Sequence, residues 1–552
     1  MTPQNSKSNK NKINSGGLKS AIAHNNSVKP NSNLIQILKI ALPQFFDSDK
    51  KFQTDKFLTE LQENNIAESR DGYKLGFVGK DYARLQTGCK PETMIAPDIK
   101  HNSRNENKNS ENIFITGDNL EVLRHMQNAY VGKIKMIYID PPYNTGKEFV
   151  YNDTFEFNDE KLKSMLGYSD DEIQRLKLIQ GKSSHSAWLT FMYPRLKLAQ
   201  KLLTDDGVIF VSIDDNEQAN LKMLMDDIFG EGNFVNQFAW VNNITGRQIS
   251  GYGAAKTYEY VLVYAKNIFD ISEFYVDIAF AKKNIPDTYK GFQRDVRKDE
   301  YGEFAVGDTL YNHNRIFNEE TRPNLVFSIF YNPDTGDITH GNIGEKKKGY
   351  IEILPHKNGD GSHKYHAWRW SRNKIETDKY DLIVLPTNNN DYEIYTKTRS
   401  YTKTLLKDLI TNVSNGDTEF RQLFNEKKIF DYPKPTILLM TFLRTQESNN
   451  IIILDFFAGS GTTAHAVMQL NAEDGGNRKF ILVQIDEPTN PDSEARRAGY
   501  KTIDEIARER IKLATKKIKS EKELVLSENF DGGFKHYRIV TPDVTTLDKI
   551  EK

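Results

Sequence analysis

The chain has 552 residues, 38% hydrophobic and 27% charged, long enough for a large core and two or three domains. A formal net charge of −1 and a pI of about 6.9 neither demand nor exclude a polyanionic partner, because a groove needs a local basic surface rather than a basic total. The single cysteine, Cys89, excludes an intrachain disulfide framework and a cysteine-based zinc site, and no apolar run reaches eighteen residues.

Residues 1–32 are rich in Asn, Ser and Lys, and the first acid is Asp47. Such a segment buries too little apolar surface to offset its chain entropy, so a disordered basic tail is expected; the alternative is a basic arm on nucleic-acid phosphates. Lysines without an apolar core and cleavage site do not read as a secretory signal. The expected setting is cytoplasmic, with no membrane association and no metal. Residues 33–74 begin with "NLIQILKIALPQFF" and carry apolar residues at three- and four-residue spacing, which predicts a helical segment.

Residues 112–266, within a segment 75–267, alternate strand and helix. "NIFITGD", "IKMIYID", "DGVIFVSIDD" and "YEYVLVYAK" read as strands. "NLEVLRHMQNAY", "AWLTFMYPRLKLAQKLL" and "NEQANLKMLMDDIFG" read as helices, the last closed by Gly230. Continuous apolar strands between amphipathic helices predict a parallel sheet covered on both faces. Residues 268–430 break that rhythm with turn-rich, aromatic runs such as "HKYHAWRWSRNK", which suggests an inserted domain. From 431 to 520 the α/β pattern returns, with "IIILDFF" and "KFILVQI" as strands and "GTTAHAVMQLN" and "TIDEIARERIKLATKKIK" as helices. Residues 521–552 form a C-terminal segment.

Two stretches carry chemistry. In "LDFFAGSGTT" a strand ends in Asp455; Gly459, Ser460 and Gly461 make a turn, and Thr462 opens a helix. Glycines let a ligand approach the backbone, and a helix N-terminus offers unpaired N–H groups. A strand–glycine loop–helix unit suits a nucleotide-like ligand at the carboxyl end of a sheet, though a merely structural turn gives the same pattern. It is not a P-loop; "GKSS" at Gly181 has Leu176 where the first glycine is required. In "IKMIYIDPPYNTG" a buried strand ends in Asp140, Pro141, Pro142 and Tyr143. The carboxylate and the proline carbonyls can accept hydrogen bonds, the prolines fix the path, and the ring can stack. Together they suit a flat ring bearing an NH₂ group, such as a base pulled out of its stack. A proline turn with a satisfied aspartate is the bland alternative.

Asp140-Pro141-Pro142-Tyr143 followed by Asp455-Phe456-Phe457-Ala458-Gly459-Ser460-Gly461 resembles the amino-group DNA methyltransferases that use S-adenosylmethionine. The order, with an insertion between the motifs, resembles the permuted β class. "ENIFITGDNLEVLRHM", "WLTFMYPRLKLAQKLL", "GNFVNQFAWV", "RPNLVFSIFYNP" and "FDYPKP" extend the likeness to the modification subunits of type III restriction–modification systems, from about Leu75 to about Thr515.

The resemblance implies an α/β, Rossmann-like methyltransferase fold with permuted motif order and an inserted mixed α+β target-recognition domain. The methyltransferase parts would be 75–267 and 431–520, and the recognition domain 268–430. Asp140 and the Pro141 carbonyl would orient the target amine, with Pro142 fixing the path and Tyr143 stacking on the base. Asp455 would hold the amino end of S-adenosylmethionine, and Phe457, Gly459, Ser460, Gly461 and Thr462 would shape its loop. Asp118 would lie near its adenine, and Lys434 and Pro435 over its methionine moiety. Asp486 and Glu487 are the candidates for its ribose. Adenine N6 in duplex DNA is the expected target, with cytosine N4 the alternative, or a chain acting chiefly in DNA recognition. Cys89 stands outside any Pro-Cys pair, so cytosine C5 chemistry is not expected. A homodimer and a separate restriction subunit carrying helicase and nuclease functions are the partners implied.

Overall fold

The structure, a computed structural model, describes residues 38–47, 51–63, 75–145, 169–179, 184–243, 254–290, 292, 295–357, 361–387, 391–399, 401–411, 415–522 and 526–541. The tail expected over 1–32 lies outside them, as do parts of the 33–74 and 521–552 segments. The chain forms two compact units. One comprises residues up to Phe274, then Asn284–Thr288, then Leu406 onward; the other comprises Tyr275–Lys283 and Tyr289–Leu405.

The first unit is built on a ten-stranded sheet. In chain order its strands are β1 Met94–Pro97, β2 Ile113–Thr116, β3 Ile134–Ile139, β4 Leu203–Ile213, β5 Phe234–Val241, β6 Tyr258–Ala265, β7 Leu409–Ile410, β8 Ile452–Asp455, β9 Lys479–Gln484 and β10 Lys535–Val540. Their order across the sheet is β1-β10-β2-β9-β8-β3-β4-β6-β5-β7. The six strands from β10 to β4 are parallel to one another. Ile134, Met136, Ile137, Tyr138 and Ile139 of β3 are all buried, so both faces are covered, as parallel packing requires.

The expectation of a wholly parallel sheet fails at "YEYVLVYAK". This strand, β6, runs antiparallel to both β4 and β5. Its last five residues are buried, and a continuously buried run says nothing about direction. The strands β1 and β10, which pair with each other antiparallel, were not anticipated.

The principal helices of this unit are α1 Asn119–Ala129, α2 His185–Leu202, α3 Gln218–Phe229, α4 Thr462–Asp474 and α5 Ile503–Glu521. The Asp118 carboxylate caps α1, accepting from the N–H groups of Leu120 and Glu121 at 2.8 and 3.1 Å. The α3 helix stops at Gly230, whose φ of 89° suits glycine. Leu123, Met192, Leu196, Ile209 and Leu454 belong to one hydrophobic core.

The second unit contains a four-stranded antiparallel sheet, ordered Leu382–Pro386, Tyr392–Thr398, Gly302–Thr309, Val296–Asp299, and a three-stranded one centred on Ser328–Tyr331. Leu310, Phe327, Ile329 and Trp368 form its core. In the "HKYHAWRWSRNK" run, Tyr365, His366 and Trp368 are buried, and the Trp368 indole N–H donates to the Phe327 carbonyl at 2.8 Å. Among the described residues no helix is long and apolar enough to cross a membrane.

Candidate active site at two adjacent strand ends

Strands β3 and β8 are neighbours, with Met136 beside Ile453 and Ile137 beside Leu454. From β8 the chain continues to β9 on one side; from β3 it continues to β4 on the other. This is a topological switch point, where the loops leaving two parallel strands part and open a crevice. Asp140 and Asp455 stand at the carboxyl ends of these strands. A cavity of about 560 Å³ lies there, lined by residues 140–143, 429–434 and 457–460 together with Asp455, Thr462, Thr463, Gln484 and Glu487.

At the β3 end the carboxylate is met by a cation. The Lys434 ammonium lies 3.0 and 2.9 Å from the two oxygens of Asp140, 2.8 Å from the Tyr143 hydroxyl and 3.5 Å from Glu259 Oε2. It also lies 4.9 Å from the centre of the Tyr143 ring. The Tyr143 hydroxyl is 2.8 Å from Asp140 Oδ1 and 3.2 Å from Glu259 Oε2 and can donate its proton to either. Burial works against the charge on Lys434, but the Asp140 and Glu259 carboxylates outweigh it and hold the pKa above the ordinary lysine value. Burial, reinforced by Asp140, pushes the Tyr143 hydroxyl well up, so it remains a donor. The Trp188 indole donates to the Pro142 carbonyl at 2.7 Å. The Pro141 residue lines the cavity and its carbonyl accepts no bond among the described residues.

At the β8 end the carboxylate meets only neutral donors. Asp455 is 3% exposed and accepts from the Phe457 N–H at 3.0 Å and the Thr463 hydroxyl at 2.5 Å. Burial drives its pKa up to about 7 against these two bonds. The chain then turns through Gly459 and Gly461 at φ of 52° and 79°. A Cβ on Gly461 would lie 3.1 Å from the Ala507 carbonyl oxygen, whereas one on Gly459 would meet nothing nearer than the Phe430 ring at 3.6 Å. The Gly459 N–H donates to Gln484 Oε1 at 2.7 Å. The Arg510 guanidinium, wholly buried, donates to the hydroxyls of Ser460 and Thr462 at 2.8 and 2.6 Å and ties the turn to α5.

Asp118, Pro435, Gly461 and Asp486, also singled out in the sequence, do not line the cavity. Asp118 caps α1 and pairs with Arg195 at 3.3 Å. Pro435 precedes the helix Thr436–Leu443, and Gly461 precedes α4. Asp486 is exposed. Glu487 does line the cavity, and burial raises its pKa; its carboxylate has no partner among the described residues. Sequence reasoning missed Glu259, Trp188 and Arg510. None carries a local signal: Glu259 and Trp188 sit in ordinary strand and helix patterns, and Arg510 in a charged helix. Among the described residues no cluster of His, Cys, Asp and Glu could hold a metal ion.

Residues 134–494 match the family model N6_N4_Mtase, described as "DNA methylase". The chain belongs to this DNA methylase family, among the Mod subunits of type III restriction–modification enzymes. It is 41% identical to the StyLTI Mod subunit of Salmonella typhimurium, over 97% of this chain and 78% of that one. It is 39% identical to the EcoPI Mod subunit of Escherichia phage P1, over 88% of this chain and 75% of the relative. The EcoP15I Mod subunit of Escherichia coli is 36% identical, over 94% of this chain and 79% of its own length.

Proposed function

We propose that this chain methylates the N6 amine of an adenine flipped out of duplex DNA, as the modification and recognition subunit of a type III restriction–modification system. The observation that carries the reading is the pair of unlike carboxylate sites on one cavity, at the ends of adjacent strands. S-adenosylmethionine is the methyl donor in this reading, and when bound it supplies an electrophilic methyl on a sulfonium centre.

The residues present fit that group. Asp455 is a buried carboxylate with no cation within ion-pair distance among the described residues, and a cationic ligand would hold it ionised. Glu487 offers an unengaged carboxylate to a ribose diol, which favours it over the exposed Asp486. A Cβ at the left-handed Gly459 would meet nothing nearer than the Phe430 ring, and the glycine itself lines the cavity. Phe457, Ser460 and Thr462 complete that wall.

The chain's own part of the reaction is positioning. Asp140 and the Pro141 carbonyl accept hydrogen bonds from the exocyclic amine and draw its nitrogen toward tetrahedral geometry. The Tyr143 ring stacks on the base, while Trp188 holds the Pro142 carbonyl and so fixes the loop. Asp140 is also the nearest base for the proton the amine loses. Most of the acceleration comes from orientation in a dry, preorganised site. We assign the two chain segments 75–267 and 431–520 to a permuted methyltransferase domain, and 268–430 to target recognition. Double-stranded DNA, a second copy of the chain and a separate restriction subunit are the partners in this reading.

Incubation with plasmid DNA and methyl-labelled S-adenosylmethionine, then digestion to nucleosides, tests it. Label in N6-methyladenine is expected. Label in N4-methylcytosine changes the base and keeps the site; an unlabelled plasmid, with the cofactor shown to bind, overturns the reading.

A further inference from the structure

The Lys434 ammonium occupies an unusual place for a side chain argued to lie near a cofactor. It sits between both oxygens of Asp140 and the Tyr143 hydroxyl, with three contacts of 2.8–3.0 Å. An ammonium and an exocyclic amine offer a carboxylate the same thing, N–H donors at hydrogen-bond distance. Both cannot use the same oxygens of Asp140 at full strength. A buried cation leaving one carboxylate needs another, since an unpaired charge in this cavity is costly. One is in place: Glu259 Oε2 lies 3.5 Å from the ammonium, and its other oxygen accepts from the Asn242 side chain at 2.7 Å. Glu259 is also held by the Tyr143 hydroxyl.

Resting on the reading above, we propose that Lys434 stands in for the target amine in the DNA-free enzyme. Glu259 is then the positioning residue that receives the lysine charge when the base arrives at Asp140. The exchange needs only a short displacement of one ammonium between two carboxylates that already share it. It also keeps Asp140 paired, and so preorganised, until the target displaces Lys434. Burial alone would weaken the ammonium; the two carboxylates together hold it charged.

The test uses the full chain and a duplex carrying the site located by the plasmid assay, with either the target base or the same base lacking its exocyclic amine. Without cofactor, the wild type is expected to bind the amine-bearing duplex more tightly. In Glu259→Gln that preference, and kcat, should fall roughly tenfold or more, the size expected when one member of a buried charge pair is neutralised. The Kd for S-adenosylmethionine should stay unchanged. Glu259→Asp should recover much of the preference. Adding Lys434→Met to Glu259→Gln should restore it, because no ammonium then remains on Asp140. An unchanged preference in Glu259→Gln, or a loss undiminished in the double variant, overturns the inference. If Glu259→Gln does not fold, Asn242→Ala must lower the preference in the same direction; no change overturns the inference equally. Absence of any amine preference in the wild type overturns the reading of the site itself, a different failure visible before any variant is made.

Discussion

Asp140 and Asp455 end neighbouring strands of one sheet, yet their surroundings are opposites. Asp140 faces the Lys434 ammonium and the Tyr143 hydroxyl. Asp455 is deeper, and only an amide and a hydroxyl face it. A carboxylate whose cation has a second carboxylate within reach, as Lys434 has in Glu259, can exchange that cation for a neutral amine. A carboxylate with none is destabilised by burial and gains most from a ligand that brings positive charge. The same side chain at the same topological position therefore suits two different ligands in the function proposed, and its neighbours decide which.

The largest effect should come from removing the first carboxylate. Asp140→Ala is expected to lower kcat by at least about 100-fold, as removal of one preorganised transition-state contact does, while DNA affinity in a filter or anisotropy assay largely survives. Near-wild-type turnover would show that the β3 end does not hold the reacting amine.

Asp455→Asn should come next, weakening S-adenosylmethionine binding by about 10- to 100-fold, the cost of losing one charge-assisted contact. The pH dependence has a definite sign. In the free protein burial raises the Asp455 pKa to about 7, well above the ordinary aspartate value. The folded state therefore binds the proton more tightly than the unfolded one. The stability this contributes is fully present below the unfolded value and is lost as pH rises toward 7. Asp455→Asn should accordingly raise the melting temperature of the ligand-free protein more at pH 8 than at pH 5. Wild-type affinity for the cationic cofactor should rise with pH through about 7 and level off above it, and Asp455→Asn should abolish that dependence. A flat wild-type profile by calorimetry would put a cation beside Asp455.

A smaller effect is expected at the turn that serves Asp455. Gly461→Ala places a Cβ at φ 79° and 3.1 Å from the Ala507 oxygen. It should cost about 1–2 kcal/mol of stability, read by denaturant unfolding. Smallest should be Tyr143→Phe, which keeps the ring and loses the hydroxyl bonds to Asp140 and Lys434. A loss in kcat/KM of about tenfold or less is expected, worth roughly 1 kcal/mol. A loss as large as that of Asp140→Ala would mean that the hydroxyl, rather than the ring, carries the function.

Much of the sheet is legible in the chain itself. The runs "IKMIYID", "IIILDFF" and "KFILVQI" are continuous and apolar because both their faces are covered, and each becomes a central parallel strand. The Gly230 end of its helix is legible for a local reason, a glycine at positive φ; that Asp118 caps a helix emerged only from the structure. Direction in β6 was not, since burial is blind to it, and β10 was not, since Lys535–Val540 is half-polar and pairs Lys535 with the far-distant Ile113 of β2.

At the site, what the sequence by itself determined is which residues end which strands. Asp140 and Asp455 follow apolar runs and precede residues with restricted or unusual backbone, prolines in one case and glycines in the other, and those are local properties. What only the tertiary structure decided is what each carboxylate meets. Lys434 reaches Asp140 across 294 residues of sequence, Glu259 joins them from an antiparallel strand, and Arg510 braces the glycine turn from a distant helix. Charge state and ligand preference depend on these neighbours through desolvation and Coulomb terms that act in space, so they arise only once the strands are placed side by side.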